Sequence, residues 1–341
     1  MAGKSRAALR CRPVLTGKWE RPWHFARCDS ARLCVHSRSM ATLRDKVEYG
    51  LLRSLVWPLQ RMPLPFSVAV GAGLGDFLYR VIGLRREVTL QNLRTAFPEM
   101  PGDELQRLAL RVYRNFGRML AEFVRVPRLS PQFLAEHVEF ENEDVLRQAL
   151  AEGRGGILVT GHFGNWEWMA ASLCARGYEM QPIVAEQRNR LVEKLIDDFR
   201  AAAGVKVIKF GAPSVRQTLK LLRNNKFVGI LADQDAGRNG EFVPFFGRPA
   251  STPKGPAVFH LKTRSPLIFL VSLRLGPGKH RVVCERLEAS TDGKLTDENV
   301  HAVTAAITAR LEDWVRRYPD HWFWMHRRWK SSHWVEQGTR S

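Results

Sequence analysis

Between residues 156 and 233 short apolar runs alternate with amphipathic ones, and few folds accept that rhythm. The apolar runs are "GILVT" (156–160), "QPIVA" (181–185), "VKVIKF" (205–210) and "KFVGILAD" (226–233). Between them lie "GNWEWMAASLCARG", "NRLVEKLIDDFRAAAG" (189–204) and "PSVRQTLKLLRNN", with apolar residues at helical spacing. A strand that is apolar throughout must be covered on both faces, and a helix between successive strands carries the chain back so that the strands run parallel. "SPLIFLVSLRL" and "HRVVCERLE" predict two more strands, and a closing helix runs from about Asp297 to Tyr318. The fold class is therefore α/β, a mainly parallel central sheet flanked by helices, with an N-terminal helical membrane-associating segment.

That segment starts after an atypical extension. Residues 1–39 carry nine Lys/Arg against two acids and hold Cys11, Cys28 and Cys34, with no periodic apolar face. No apolar run of about 7–15 residues follows the basic start, so a secretory signal is excluded. A transit peptide or an over-long start is expected instead: 1–39 is disordered or untranslated, dispensable, and Met40 opens the first patterned stretch. Cys28, Cys34, His24 and His36 are a weaker metal-site reading. Five cysteines without a CxxC pair argue against a disulfide framework. The remaining boundaries are 40–130 for the helical region, 131–332 for the α/β domain and 333–341 for a tail.

"YGLLRSLVWPLQRM" (49–62) and "LPFSVAVGAGLGDFLYRVIGL" (64–84) are nearly apolar enough to span a bilayer, but the second holds Asp76, Arg80 and four glycines. Helices lying in the interface, flanked by Arg85 and Arg86, fit better than a full span, and the first helices of a soluble core are the competing reading. Helical periodicity continues over 87–127, broken at Pro98 and Pro101, and "NEDVLRQALAEG" (142–153) is a short helix closed by glycine. The formal charge of +19 points to anionic partners.

In open α/β sheets, ligands bind beyond the carboxyl ends of the strands, which is where "ILVTGHFGNWEWMA" (157–170) places His162. Five positions on a straight helix separate side chains by about 140°, so His162 and Glu167 could meet only through an irregular turn, which Gly161 and Gly164 permit. The carboxylate would then hold one ring nitrogen as N–H and leave the other as a general base. With no GxSxG elbow and no cysteine partner, the nucleophile is expected on the substrate, which suits acyl transfer to an alcohol. A buried structural histidine is the plainer alternative.

Asp233, which ends "KFVGILAD", and Asp235 two positions on could hold magnesium. "FVPFFG" suits an acyl pocket wall or an edge strand, and Thr252–Pro253 suggests a helix N-cap followed by proline. "RYPDHWFWMHRRWK" (317–330) interleaves Arg, His and Trp, as nucleic-acid stacking sites and membrane interfaces do; the membrane interface is favoured over nucleic acid and over an ordinary solvated helix end.

Taken in order, "GHFGNWEW", "DQDAG" with "FVPFFG" and "PDHWFWMHRRWK" resemble the lipid A biosynthesis late acyltransferases, of the lysophospholipid acyltransferase superfamily. "NLRTAFPEMPGDE" is similar to a turn common near that family's start, and the likeness covers roughly residues 45–332. The resemblance implies His162 as base, Glu167 as its orienting partner, and Arg200 and Asp233 as further catalytic positions, Arg200 stabilising an oxyanion or holding a phosphate. Gly164, Asn165, Arg188, Asp235, Thr252, His326, Arg327 and Arg328 are then substrate-binding, and backbone N–H groups from Gly161 to Asn165 are candidate oxyanion donors. Asp320, Trp322 and Trp329 depart from the family's usual glutamate, tyrosine and phenylalanine, and "VAEQRNR" lacks an arginine that Arg188 replaces.

The implied reaction moves a fatty acyl group from an acyl carrier protein or CoA thioester to a hydroxyl of a membrane glycolipid. A lipid A precursor is the first acceptor, and a phosphatidylinositol mannoside or a lysophospholipid the alternative. No metal or cofactor is expected, no nucleic acid is expected as partner, and the implied location is the inner membrane with the site facing the cytoplasm. A basic membrane- or nucleic-acid-binding protein without catalysis is the remote alternative.

Overall fold

The structure, a computed structural model, describes residues 41–338; the expectations for residues 1–39 lie outside them. Thr42 opens α1 (Leu43–Arg61) by accepting from the Asp45 backbone N–H, while the Asp45 carboxylate accepts from the Thr42 N–H. α2 (Leu64–Phe77) continues through a π turn over Leu78–Ile82 and stops at Gly83. α3 (Arg86–Ala96) and α4 (Gly102–Phe123) follow, the latter with Asp103 and Glu104 in its first turn, where the helix dipole favours acids. α2 and α4 cross at glycines: a Cβ on Gly71 or on Gly117 would collide with the other residue's carbonyl.

The sheet builds from β1 (Val138–Glu141), which follows α5 (Pro131–His137) and precedes α6 (Asp144–Ala151). Strand and helix then alternate as the apolar rhythm requires: β2 (Gly156–Thr160), α7 (Trp166–Ala175), β3 (Met180–Val184), α8 (Arg190–Ala202), β4 (Ile208–Lys209), α9 (Ala212–Arg223) and β5 (Phe227–Leu231). A two-stranded hairpin, β6 (Glu241–Phe245) and β7 (Arg248–Thr252), leads through α10 (Gly255–Thr263) to the long strands β8 (Leu267–Gly276) and β9 (Lys279–Leu287). α11 (Asp297–Arg317) and the short α12 (His333–Gly338) close the described chain. Strand order is β1-β9-β8-β2-β5-β3-β4, with β8 and β9 antiparallel and every other neighbouring pair parallel.

The α/β class and the mostly parallel sheet are those the sequence predicts. Ile157 and Val159 pack in one apolar cluster and Leu158 in the other, so β2 is covered on both faces. "VKVIKF" shrinks to the two residues of β4, a short edge strand paired only with β3 among the described strands. Thr252 does not cap a helix. It ends β7 opposite Glu241, and Lys254 takes the N-cap of α10, because pairing with β6 holds residues 248–252 extended.

Among the described residues no single helix is long and apolar enough to cross a membrane. Leu64–Ile82 and Arg86–Ala96 meet the criterion only together and are bent by 98°. α1 exposes Leu43, Val47, Leu51 and Leu55, spaced four apart along one face, and α2 exposes Phe66 and Phe77.

Candidate active site

β2 and β5 are neighbours, with Thr160 opposite Leu231, so residues two positions beyond each strand end side by side at the sheet's carboxyl edge. Those residues are His162 and Asp233. The Asp233 carboxylate takes His162 Nδ1 at 2.8 Å on one oxygen, and on the other the His162 backbone N–H at 2.7 Å and the Trp322 indole N–H at 2.8 Å. Burial alone would raise this carboxyl, but the imidazole charge and the hydrogen bonds from His162 and Trp322 outweigh it and hold the group down at about 2. Asp233 therefore stays ionised, is 2% exposed, and fixes the ring with a proton on Nδ1. The His162 side chain is 24% exposed, so Nε2 is the nitrogen a substrate can reach.

This corrects the expected pairing. Glu167 sits in the first turn of α7 and turns to Arg200 of α8, which donates through Nε at 3.0 Å and Nη2 at 2.6 Å, and it also accepts from Trp166 Nε1 at 3.2 Å. A bidentate guanidinium is the stronger partner for a buried carboxylate. Burial lowers the Arg200 pKa and the Glu167 pairing more than restores it, so the net shift is upward. Its fork is already occupied, which removes it as a ready-made oxyanion donor. Trp166 lies edge-on to His162 with ring centroids 5.0 Å apart, so the Glu167–Arg200 pair stands one aromatic ring away from the imidazole.

The turn between β2 and α7 is stapled from several sides. Gly164 has φ +61°, and a Cβ there would strike the Ser272 carbonyl of β8, so both conformation and space demand glycine. Its N–H donates to the His321 carbonyl, the Phe163 N–H to the Gly161 carbonyl, and the His162 carbonyl accepts from the Phe323 N–H. The expected oxyanion donors of His162, Phe163 and Gly164 are thus taken. Asn165 caps α7 by accepting from the Trp168 N–H, which leaves the N–H groups of Trp166 and Glu167 without a hydrogen-bond partner among the described residues.

Beneath this turn lies an ion cluster that sequence reasoning missed. Glu122, the penultimate residue of α4, is fully buried and accepts from Asn165 Nδ2, from both terminal nitrogens of Arg274 and from His280 Nε2, while its backbone carbonyl takes the Trp168 indole N–H. Burial pushes its carboxyl up, and His280 and then Arg274 bring it down to about 2. The one signal was an acid among the apolar positions "MLAEF" at the end of an amphipathic helix.

The terminal aromatic and basic segment is inside the molecule rather than at a membrane interface. Trp322, Trp324 and Arg328 are essentially fully buried. Arg328 donates to the Ser251 carbonyl and to Thr252 Oγ1 and lies 5.1 Å over the Phe245 ring; burial lowers its pKa to about 10. His326 Nε2 accepts from the Asp235 N–H, and burial drops its pKa to about 4. Asp235 itself accepts from Ser331 and Gly237. The side chains of Asn165, Asp235, Thr252, His326 and Arg328, expected to bind substrate, are thus engaged by partners within the protein, and none of the five lines the His162 cleft. Arg327 and Arg188 are exposed and Gly164 lines the cleft. With Asp233 and Asp235 engaged by donors, no three His, Cys, Asp or Glu side chains among the described residues converge as metal ligands.

A narrow cleft runs over His162, walled by Val112, Asn115 and Phe116 of α4, Trp166, Arg274 and Phe323. A basic imidazole nitrogen facing a cleft, oriented by a buried carboxylate, can accept a proton from a bound hydroxyl.

A family model described as bacterial lipid A biosynthesis acyltransferase matches residues 39–331. The chain is similar to the phosphatidylinositol mannoside acyltransferase of Mycobacterium tuberculosis strain H37Rv, 27% identical over 63% of this chain and 68% of that one. It is similar to the lipid A biosynthesis palmitoleoyltransferase of Escherichia coli K12, 25% identical over 90% of this chain and 96% of that one. The lipid A biosynthesis lauroyltransferase of the same organism is 25% identical over 81% and 89%.

Proposed function

Because the chain belongs to the bacterial lipid A biosynthesis acyltransferase family and is an acyltransferase, we propose that it moves a fatty acyl group from a thioester to a hydroxyl of a lipid A precursor at the inner membrane, with the site facing the cytoplasm. The observation that carries the chemistry is the His162–Asp233 hydrogen bond at the sheet's edge. His162 Nε2 takes the proton of the acceptor hydroxyl as its oxygen attacks the thioester carbonyl. The free N–H groups at the start of α7 face the negative charge that develops on the carbonyl oxygen, helped by the helix dipole. The intermediate collapses, the C–S bond breaks, and the thiolate recovers the proton from His162. No acyl group is ever attached to the protein, and no metal or cofactor enters.

Acyl carrier protein is the proposed donor, its acidic surface suiting a chain of formal charge +19, with acyl-CoA as the alternative anion. The exposed apolar stripe of α1 and the phenylalanines of α2 support seating on the membrane surface. A phosphatidylinositol mannoside is the second acceptor, favoured by relatives of that name at comparable identity.

Mass spectrometry of membrane lipids from cells lacking and regaining the protein tests this. One acyl chain gained on a phosphorylated glucosamine disaccharide is expected, and a gain on a mannosylated phospholipid selects the second acceptor. No lipid gaining a chain, together with no transfer from any thioester, overturns the reading.

A further inference from the structure

Three carboxylates surround the cleft's α4 wall, and each is already spoken for. Asp76 is held by Arg114 at 2.6 and 2.8 Å. Glu122 is held by Arg274 and His280. Asp320 accepts from Asn115 Nδ2 at 2.8 Å and from His321 Nδ1 at 3.0 Å. A further arginine stands among them: Arg118, partly buried, with no carboxylate partner among the described residues. Its Nη1 donates to Asn115 Oδ1 at 2.9 Å, one helical turn away, which leaves the rest of a five-donor fork unused.

Arg118 lies within one helical turn of two cleft residues on α4. Asn115 and Phe116, in the preceding turn, line the cleft with His162, and the Phe116 ring is 5.0 Å from Phe323, which is itself 6.1 Å from His162. Burial, then repulsion from Arg274 and Arg114, depresses the Arg118 pKa, so the cation is held at a cost that an incoming anion relieves. On its other flank the preceding residue, Gly117, touches the α2 backbone, and α2 presents Phe66 and Phe77 to the outside.

We propose that Arg118 binds a phosphate group of an amphiphilic substrate at the mouth of the His162 cleft. A planar fork with free donors matches phosphate oxygens, and apolar residues on the adjoining helix suit the lipid part. The inference rests on the acyltransferase reading for its substrates and names the group by which they are held. The same chemistry has two sources, a phosphate on the glycolipid acceptor and the phosphodiester of the donor's pantetheine arm.

The test uses the full-length protein and its Arg118→Gln and Arg118→Lys variants, each checked for an unchanged thermal unfolding midpoint. Dodecyl phosphate and dodecyl glucoside are titrated by isothermal calorimetry. Loss of dodecyl phosphate affinity by about tenfold to hundredfold in Arg118→Gln is expected, the range for a charge-assisted hydrogen bond, with most of it kept in Arg118→Lys and glucoside binding unchanged. In turnover, Arg118→Gln raises the KM of a phosphorylated acceptor and leaves that of its dephosphorylated form alone; a rise confined to the donor's KM assigns the site to the pantetheine phosphodiester. Equal loss for phosphate and glucoside, or no loss for either, overturns the proposal. If the wild-type protein transfers no acyl group, the functional reading fails while the titration still decides the phosphate site.

Discussion

His162 and Asp233 are 71 residues apart in sequence and 2.8 Å apart in space. Both were visible in the sequence as polar residues ending apolar runs, but their partnership was not, because it depends on β2 and β5 being neighbours in register, and a run of Val, Ile and Leu carries no mark of which strand it pairs with. Glu167 looked like the partner because it was close in sequence; helix geometry turns it instead toward Arg200. We expect His162→Ala and Asp233→Asn each to lower kcat by about 10²–10⁴-fold while the thermal midpoint stays near wild type. The double variant should lose little more than the worse single one, as residues acting as a unit do. Losses that multiply in a steady-state assay would separate the two roles.

At the level of elements, the crossovers from β2 to β5 follow their sequence pattern because period and glycine punctuation are local properties. The fate of the terminal Trp/Arg segment is not local. Its composition suits a bilayer surface or a protein interior equally, and three distant groups decide for the interior: Asp233 takes the Trp322 indole, Thr252 accepts from Arg328, and Asn92 of α3 donates to the Trp324 and His326 carbonyls. The crossing of α2 and α4 was also hidden, since "GAGLG" reads as a flaw in a membrane span until its glycines are seen against Gly117. Gly117→Leu should force the helices apart and cost at least about 1–3 kcal/mol in chemical denaturation. Gly73→Leu, on the open face of α2 with no atom near its Cβ position, should cost much less. Equal losses from the two would mean that helix propensity, not contact, sets the effect.

For the whole molecule, the excess of positive charge was legible as a preference for anions but not as an address, and the structure ties only part of it into ion pairs. The apolar residues at four-residue spacing on α1 stay exposed beside buried Val56 and Leu59, so the helix has one face for the protein and one for something else. Replacing Leu51 and Leu55 with glutamate should release the protein from anionic vesicles in a flotation assay and leave its melting curve unchanged; continued co-flotation would assign membrane seating elsewhere.

One consequence follows from the way Trp322 and Phe323 hold the turn that carries the imidazole. While a ribosome is still translating the stretch ahead of these two aromatics, the nascent polypeptide already carries His162 and Asp233 but lacks the indole and the backbone N–H that brace them. A chain that stops short of that late segment is expected to transfer no acyl group, which an assay of a truncation ending before Trp322 checks.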